Sequence, residues 1–388
     1  MKKVVIILTV FISASLVFAG GVNRLGGLGP KAGGMSGAFT AVADDASAFY
    51  YNPAGLTQIK SNYIFVGGDL VLPHFQYQAP MSSTLSSKND VSHLMPLFGF
   101  SAPVSEKFAF GLGVISPYGL GASYSQMESL LTLTDLVPAV CWQVTDELSL
   151  GAALNLGWSQ FEYDAPITVG GLPVGFSKSE ATGSGVGATF GALVKPLDWL
   201  HLGFVYRLPT KVKLEGDTEI VSPATGAIAD DFVTHFTFPG RATVGLAVKP
   251  QTNWAVAFDA NWYDYSGADK FRISYDNLPT AYQKLDWQDN CSFHLGAEYK
   301  PIDWLSLRTG IGYQTAVIPD STVSPLTPDA SGWDAACGLS VSWKAITLDA
   351  SYIFAWGSRN VGIRPSHAAP GSYNAQVHII GILGSLQF

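Results

Sequence analysis

Residues 200–208 read LHLGFVYRL, and this stretch decides the class of fold. Successive side chains of a β-strand point to opposite faces, so alternate positions share a face. The even-numbered positions carry Leu, Leu, Phe, Tyr and Leu, whereas the odd-numbered positions carry His, Gly, Val and Arg. Because the same alternation recurs in residues 293–299, 305–313 and 347–354, the sequence predicts an all-β fold.

The spacing of such runs indicates how the strands are connected. Fourteen strand-like runs can be marked from Tyr63 to Phe388, and the gaps between them alternate between long and short. The short gaps are 105–107, 145–147, 196–199, 250–253, 301–303 and 344–345, and the long gaps lie near 75–93, 117–133, 164–182, 221–231, 276–286, 317–331 and 358–373. Bacterial outer-membrane barrels have this layout, with tight turns on the periplasmic side. The sequence therefore predicts a fourteen-stranded antiparallel transmembrane β-barrel whose apolar faces contact lipid.

A soluble β-sandwich would show the same alternation with its apolar faces turned to a core, but three features favour the barrel. Residues 1–19 carry Lys2 and Lys3 before an apolar stretch that ends at Ala19, which is typical of a cleaved secretory signal peptide. The closing strand ends on Phe388 and resembles the signal read by the barrel-assembly machinery. Five tryptophans lie close to short turns, as expected at a membrane interface: Trp142, Trp199, Trp254, Trp304 and Trp343.

Charge and motif content argue against several functions. Removing the signal peptide takes away two of the 22 basic residues and none of the 30 acidic ones, so the net charge moves from −8 to −10. This charge disfavours a nucleic-acid partner. The seven histidines lack metal-ligand spacing, and no phosphate-binding loop or Gly-x-Ser-x-Gly motif is present. We expect no metal, no cofactor and no enzymatic activity, the alternative being a barrel-wall hydrolase that uses Ser292 and His294.

The segment before the first strand differs in kind from the rest of the chain. Residues 20–62 are glycine-rich and lack period-two alternation, and residues 44–56 within them read DDASAFYYNPAGL. Pro53 fixes its own φ and pushes Asn52 into an extended conformation, which predicts a turn of defined shape. Such an apolar segment buries itself most simply by filling the barrel. We therefore expect a signal peptide at 1–19, a hatch (plug) at 20–62 and a barrel at 63–388.

The motif formed by Asp45 and Asn52-Pro53-Ala54-Gly55 resembles the hatch signature of the FadL/TodX family of outer-membrane transporters for long-chain fatty acids and aromatic hydrocarbons. The resemblance extends to residues 116–120, 135–154, 287–301 and 307–310, in the family's order. It implies passive uptake of a hydrophobic molecule, which extracellular loops capture, a barrel pocket holds and the wall releases sideways.

The same resemblance places the wall opening at a kink in the third strand. In this chain that strand is residues 108–116, and the expected kink lies at Gly111 or Gly113 because glycine weakens strand pairing. The alternative is that these glycines only fit a crowded lumen.

Several side chains are predicted contacts of the substrate. Lys284 resembles a family lysine that pairs with a carboxylate, with a solvated loop lysine as the alternative. Residues 124–131 can form a short amphipathic helix whose apolar side chains, Met127, Leu130 and Leu131, would line a capture groove. Arg308 is a further candidate. By parity it faces the lumen with Arg207 and Arg241, where ion pairs with Glu298, Asp259 or Asp349 are the alternative to a substrate contact.

The sequence thus predicts passive uptake of long-chain fatty acids or hydrocarbons across the bacterial outer membrane. Outer-membrane lipid, lipopolysaccharide and the barrel-assembly machinery are the other expected partners. The alternative is a general or structural barrel, such as a nonspecific pore or a surface receptor, on the same scaffold.

Overall fold

The computed structural model describes residues 22–23, 26–80, 84–86, 92–125, 127–169, 172–223 and 226–388. The predicted signal peptide, residues 1–19, lies outside the described residues. The helical elements within these ranges are α1 (Pro30–Gly33), α2 (Ala48–Tyr51) and the 3-10 helix η1 (Pro53–Gln58). The strands are β1 (Tyr63–Gln78), β2 (Thr84–Ser86), β3 (His93–Pro103), β4 (Phe108–Tyr124), β5 (Met127–Gln143), β6 (Leu148–Val169), β7 (Leu172–Leu197), β8 (Leu200–Arg207), β9 (Thr210–Ser222), β10 (Gly226–Phe238), β11 (Gly240–Gln251), β12 (Trp254–Asp264), β13 (Lys270–Tyr275), β14 (Ala281–Lys284), β15 (Asn290–Ile302), β16 (Leu305–Gln314), β17 (Gly332–Trp343), β18 (Ile346–Val361) and β19 (Gly371–Gln387).

These segments form a closed barrel of fourteen antiparallel strands, as predicted. The short β2 pairs beside β1, and four barrel strands are each split in two, as β8/β9, β10/β11, β12/β13 and β14/β15. Two of the splits fall at Pro209 and Pro239, since proline has no N–H to give to a ladder. β1 pairs with β19 from Tyr63–Gln387 to Gln78–Ser372, which closes the sheet.

The predicted short turns are confirmed, but three of the predicted long loops are wrong. Most of residues 117–133, 164–182 and 221–231 belongs to hairpin strands, which pair out to Tyr124–Met127, Val169–Leu172 and Ser222–Gly226. Polar residues interrupt the apolar alternation in these runs. The ladder continues nevertheless, because paired strands satisfy each other's backbone groups whatever the side chains.

The exposure of side chains shows that the apolar face is the outer one. In β8, His201, Val205 and Arg207 are buried, whereas Phe204 and Tyr206 are exposed. The five tryptophans near the short turns are also exposed, which fits an interface belt at that end of the barrel. Among the described residues, no helix is long and apolar enough to cross a membrane.

Residues 26–62 lie inside the barrel. α1 contacts β17, β18 and β19, and η1 contacts β4, β5, β6 and β7. Glycines in the wall permit this close approach: an added Cβ at Gly151 would lie 2.3 Å from the Ala54 nitrogen, and one at Gly310 would lie 2.3 Å from the Met35 carbonyl carbon. This position fits the hatch predicted for residues 20–62.

Candidate functional site

The predicted hatch motif forms a fully hydrogen-bonded turn against the wall. The Asn52 carboxamide accepts from the Ala54 N–H at 3.1 Å and donates to the carbonyls of Thr40 and Ala192, each at 3.0 Å. Pro53 is the first residue of η1, and Asn52 caps that helix with an extended backbone. Gly55 is required because a Cβ there would lie 2.3 Å from the Ala43 carbonyl oxygen. The motif therefore joins two parts of the hatch to β7.

Asp45 and its neighbour Asp44 stabilise the hatch in different ways. The Asp45 carboxylate accepts from the Ser47 N–H at 2.9 Å, and burial raises the pKa of Asp45. Burial by itself would also raise the pKa of Asp44. The charge and hydrogen bond of Lys31, whose Nζ lies 2.8 Å from Asp44 Oδ1, act together with the charges of Lys249 and Lys300 against burial and lower the Asp44 pKa to about 2.

Three carboxylates of the wall hold the hatch in place; sequence reasoning missed Asp69 and Asp334 and named Asp259 only as a possible ion-pair partner of a lumen arginine. Asp69 accepts from the Gly29 N–H at 3.0 Å. Asp259 accepts from the N–H groups of Phe39 and Thr40 at 3.0 and 2.9 Å, and Asp334 accepts from the Ser36 hydroxyl. All three acids occupy inward-facing positions of strands in which apolar residues alternate with other residues. Strand parity is therefore the sequence signal that identifies such acids.

Arg308 lies in an ion-pair network beneath the hatch. Its Nε lies 2.6 Å from Glu298 Oε2, its Nη1 lies 2.6 Å from the Ser340 hydroxyl, and Asp349 is 3.5 Å away. Gly34 of the hatch packs on its Cβ. The predicted pairing of this lumen arginine with Glu298 and Asp349 is confirmed. The structure thus places Arg308 against the hatch rather than among the apolar side chains described below.

Lys284 is exposed and does not face the interior. Its ammonium group pairs with Asp286, and it stands opposite Lys270 in the β13–β14 ladder. With 72% of its side chain exposed, it matches the solvated-lysine alternative.

Beyond the hatch, the lumen is filled by buried apolar and aromatic side chains, here called the apolar interior. Trp287 packs against Phe236 and Tyr265 with ring centroids 5.9 and 5.7 Å apart. Segment 315–331 contributes Val317, Ile318, Val323 and Leu326. Other members are Phe75, Tyr118, Tyr124, Leu131, Leu133, Phe161, Tyr163, Phe232, Phe238 and Phe271. Such an apolar environment is suited to contact with an apolar ligand.

The helix predicted for residues 124–131 is wrong. Residues from Met127 onward form β5, paired with β4 on one side and β6 on the other. Met127 and Leu131 pack on the apolar interior, whereas Leu130 lies on the opposite face of the strand. Pairing on both edges outweighs the local helical pattern because it satisfies the backbone of the whole segment.

The wall is interrupted between β3 and β4. Their ladder extends from Pro103–Ala109 to Phe98–Val114, and the described pairs include none beyond it. Residues 93–97 stay paired with β1, and residues 118–124 stay paired with β5. We call this interruption the wall gap. An added Cβ at Gly119 would lie 2.8 Å from Met95 Cε, so a side chain rather than a backbone ladder spans the gap.

The course of β4 explains the wall gap. Up to Val114 its residues alternate between buried and partly exposed, as in any wall strand. The register with β5 then shifts between Ile115 and Tyr118, and four consecutive residues, 115–118, are buried. Because both faces of residues 115–118 are buried, β4 bends here out of the wall and into the lumen.

This bend does not lie at the predicted glycines. Gly111 and Gly113 are regularly paired with both β3 and β5. An added Cβ would meet Leu56 at 2.9 Å from Gly111 and Phe49 at 1.9 Å from Gly113. The two glycines therefore make room for the hatch, whereas the register shift falls at Ser116-Pro117, where Pro117 lacks an N–H.

Ser292 and His294 are in contact, since His294 Nε2 lies 2.9 Å from Ser292 Oγ. Ser292 also accepts from Asn261, and the other ring nitrogen of His294 faces Ser36 of the hatch. The pair is thus part of the polar contact between wall and hatch. In the part of the chain that the structure describes, no group of three or more His, Cys, Asp or Glu side chains is arranged to hold a metal ion.

A closed β-barrel with lipid-facing apolar residues and a segment folded into its lumen defines an integral outer-membrane protein. A family model described as outer membrane protein transport protein (OMPP1/FadL/TodX) matches residues 12–388. The chain therefore belongs to this family, and its location in the bacterial outer membrane is as predicted.

Known proteins agree with this assignment. The chain is similar to a putative outer membrane protein of Neisseria meningitidis, with 32% identity over 135 residues, 32% of this chain and only 29% of that protein's length. It is 19% identical to the long-chain fatty acid transport protein of Escherichia coli, over 81% of this chain and 83% of that protein. The fold resembles the Pseudomonas putida toluene transporter TodX, with a TM-score of 0.78, 18% identity and coverage of 94% of this chain and 99% of that chain.

Proposed function

We propose that this protein carries hydrophobic small molecules passively across the outer membrane and releases them sideways through the wall gap. The observation that carries the proposal is the end of the β3–β4 ladder at Phe98–Val114, together with burial of both faces of β4 beyond it. The similar proteins named for fatty acid and toluene transport support long-chain fatty acids or hydrocarbons as the substrate class.

Apolar side chains of the interior reach the border of the wall gap. Tyr118 and Tyr124 of β4 and Leu131 and Leu133 of β5 belong to the apolar interior, and the same stretch of β4 borders the gap. An apolar molecule on this path stays out of water, which is worth about 25 cal/mol per Å² of its surface. Movement down a concentration gradient on such a path needs no energy source.

The outer surface supports the remaining partners of this proposal. Exposed apolar side chains such as Leu154, Val186 and Leu348 would contact outer-membrane lipid and lipopolysaccharide. The closing strand β19, with Phe388 exposed after it, would be the segment that the barrel-assembly machinery recognises.

A reversible cross-link across the wall gap tests the proposal. In a background with Cys141, Cys291 and Cys337 replaced by alanine, Met95→Cys with Gly119→Cys would be oxidised in cells, and uptake of labelled oleate and toluene measured. We expect uptake to fall to the level of cells without the protein and to return after reduction. Heat-modifiable migration on gels would confirm that the barrel is folded.

The matched control is Ser342→Cys with Thr347→Cys, whose hydroxyls lie 2.9 Å apart between the paired strands β17 and β18. Its oxidation should leave uptake unchanged. Undiminished uptake with a complete cross-link between positions 95 and 119 would exclude lateral release through this gap.

A further inference from the structure

The inward course of β4 requires something to hold it. Strand edges carry unpaired N–H and C=O groups, and such groups are costly in a membrane, where no water satisfies them. Above Phe98–Val114 no pair is described between residues 93–97 of β3 and residues 115–124 of β4, and Tyr118 bridges to Asn23 instead. A longer β3–β4 ladder would pair more of the backbone of the two strands. Contacts in the lumen are therefore needed to hold β4 away from β3.

Arg207 of β8 contacts β4 and β5 on both sides of the register shift. Its Nη2 lies 2.6 Å from Asp135 Oδ2, and its guanidinium carbon lies 5.3 Å from the centre of the Tyr118 ring. Asp135 is the partner of Ile115, the last pair before the shift, and Tyr118 with Leu133 is the first pair after it. One side chain thus fixes both ends of the bend.

Tyr118 is also anchored on the far side of the lumen. Its hydroxyl donates to the Pro239 carbonyl at 2.8 Å, and its ring stacks on Phe238 at 5.4 Å. Pro239 lies at the split between β10 and β11, where its carbonyl is available to a side chain. Asn23 forms an isolated antiparallel bridge with Tyr118, on the edge of β4 that does not pair with β5. These contacts pull β4 away from β3.

The ion pair is poorly suited to a purely stabilising role. Arg207 and Asp135 are at most 2% exposed, so both charges are almost fully desolvated. Among the described contacts, Arg207 Nε and Nη1 and Asp135 Oδ1 have no hydrogen-bond partner. Buried ion pairs with incomplete hydrogen bonding give little net stability compared with apolar residues. A buried pair of this kind instead fixes the relative position of the two strands that it joins.

We propose that Arg207 is a positioning residue for lateral release, and that Arg207, Asp135 and Tyr118 form a brace that keeps the wall gap open. The inference rests on the proposed function, because the gap matters only if the substrate leaves there. Without the brace, β4 moves outward and pairs with β3 beyond Val114, and the exit closes while the barrel remains folded.

The test removes both charges together, since removing one would leave the other buried and unpaired. The double variant Arg207→Met with Asp135→Leu should fold, as judged by heat-modifiable migration. Hydrogen–deuterium exchange in detergent should slow in peptides covering residues 93–97 and 115–124, because new ladder hydrogen bonds protect their amides. Uptake of labelled oleate and toluene should fall. Arg207→Lys, which keeps the charge beside Asp135, should retain part of the uptake.

Arg241→Met is the matched control. Arg241 stands directly opposite Arg207 in the β8–β11 ladder, is also buried in the lumen and contacts Tyr50 of the hatch. We expect unchanged exchange in residues 93–97 and 115–124. If Arg241→Met slows hydrogen exchange in these residues as much as the double variant does, the positioning role assigned to Arg207 is overturned.

The outcomes separate this inference from the proposed function. Unchanged exchange at β3 and β4 in the double variant overturns the brace, whatever the cross-link between positions 95 and 119 does to uptake. Slower exchange with undiminished uptake also overturns the positioning role. If the cross-link between positions 95 and 119 blocks uptake in that case, lateral release is retained and only the brace is rejected. If the cross-link leaves uptake unchanged, lateral release itself is rejected.

Discussion

At the scale of single residues, glycines of the wall decide where the hatch can lie. Gly151 faces the backbone of Pro53 and Ala54, and Gly310 faces the backbone of Met35. Side chains at these positions would collide with main-chain atoms, which cannot rotate away as a side chain could. The absence of a Cβ is therefore a condition for the docked hatch.

Gly151→Ala should destabilise the folded protein. Its Cβ would lie 2.3 Å from the Ala54 nitrogen, and displacing the Asn52–Gly55 turn should cost about 1–3 kcal/mol, as overpacking does elsewhere. The temperature of the shift in gel migration would measure the loss. Gly384→Ala is the control, because the nearest atom to its Cβ is a leucine methyl at 3.7 Å. Equal temperatures for the two variants would contradict this account of the docked hatch.

At the scale of elements, strand parity decides which side chains can meet a ligand. Residues 127–131 belong to β5, so Leu131 faces the apolar interior and Leu130 faces the other way. A helix would have put both leucines on one side. The same parity places Arg207, Arg241 and Arg308 in the lumen, where the sequence had placed them.

Leu131→Ser should weaken binding of a fluorescent fatty acid to the purified protein. The change removes apolar surface and adds a hydroxyl among buried rings, so a loss of up to about 2 kcal/mol in binding free energy is expected. Leu130→Ser, one position away on the opposite face, should leave the affinity close to that of the unchanged protein. If the two variants weaken binding equally, the apolar interior is not the ligand site.

At the scale of the whole molecule, the hatch and wall form one hydrogen-bonded unit. Asp69 and Asp259 hold the hatch backbone, and η1 packs on four strands of the wall. From a lumen occupied in this way we predict that ions find no continuous water path. A general pore would need one.

The protein in planar bilayers should therefore show no steady single-channel conductance. Replacing Asp69 and Asp259 by alanine removes acceptors of three hatch N–H groups, and intermittent conductance is expected as the hatch loosens. Ser342→Ala serves as the control and should remain silent, because the Ser342 hydroxyl contacts Thr347 of β18 at 2.9 Å rather than a hatch N–H group. Steady conductance of the unchanged protein in the absence of hydrophobic uptake would favour the nonspecific pore.

Much of this architecture is local and could be predicted from the sequence. Alternation in runs such as residues 200–208 determined the strands. The signal peptide, the closing strand and the tryptophans near short turns indicated that the apolar face is the outer one, and proline and asparagine chemistry determined the turn at Asn52. The predicted helix at 124–131 failed because strand pairing on both edges overrode a local pattern. The contact of Lys284 with a carboxylate stays a prediction, and its exposure depends on its place in the β13–β14 ladder, which the sequence does not show.

The sequence by itself determined a barrel of fourteen strands, apolar outside, with a segment before it that fills the lumen. Only the tertiary structure decided where β4 leaves the wall and which side chains hold it there. Arg207, Asp135 and Tyr118 come from three strands, and their meeting depends on the curvature and stagger of the closed sheet. Period-two alternation is a property of one strand, so it carries no information about contacts across the lumen.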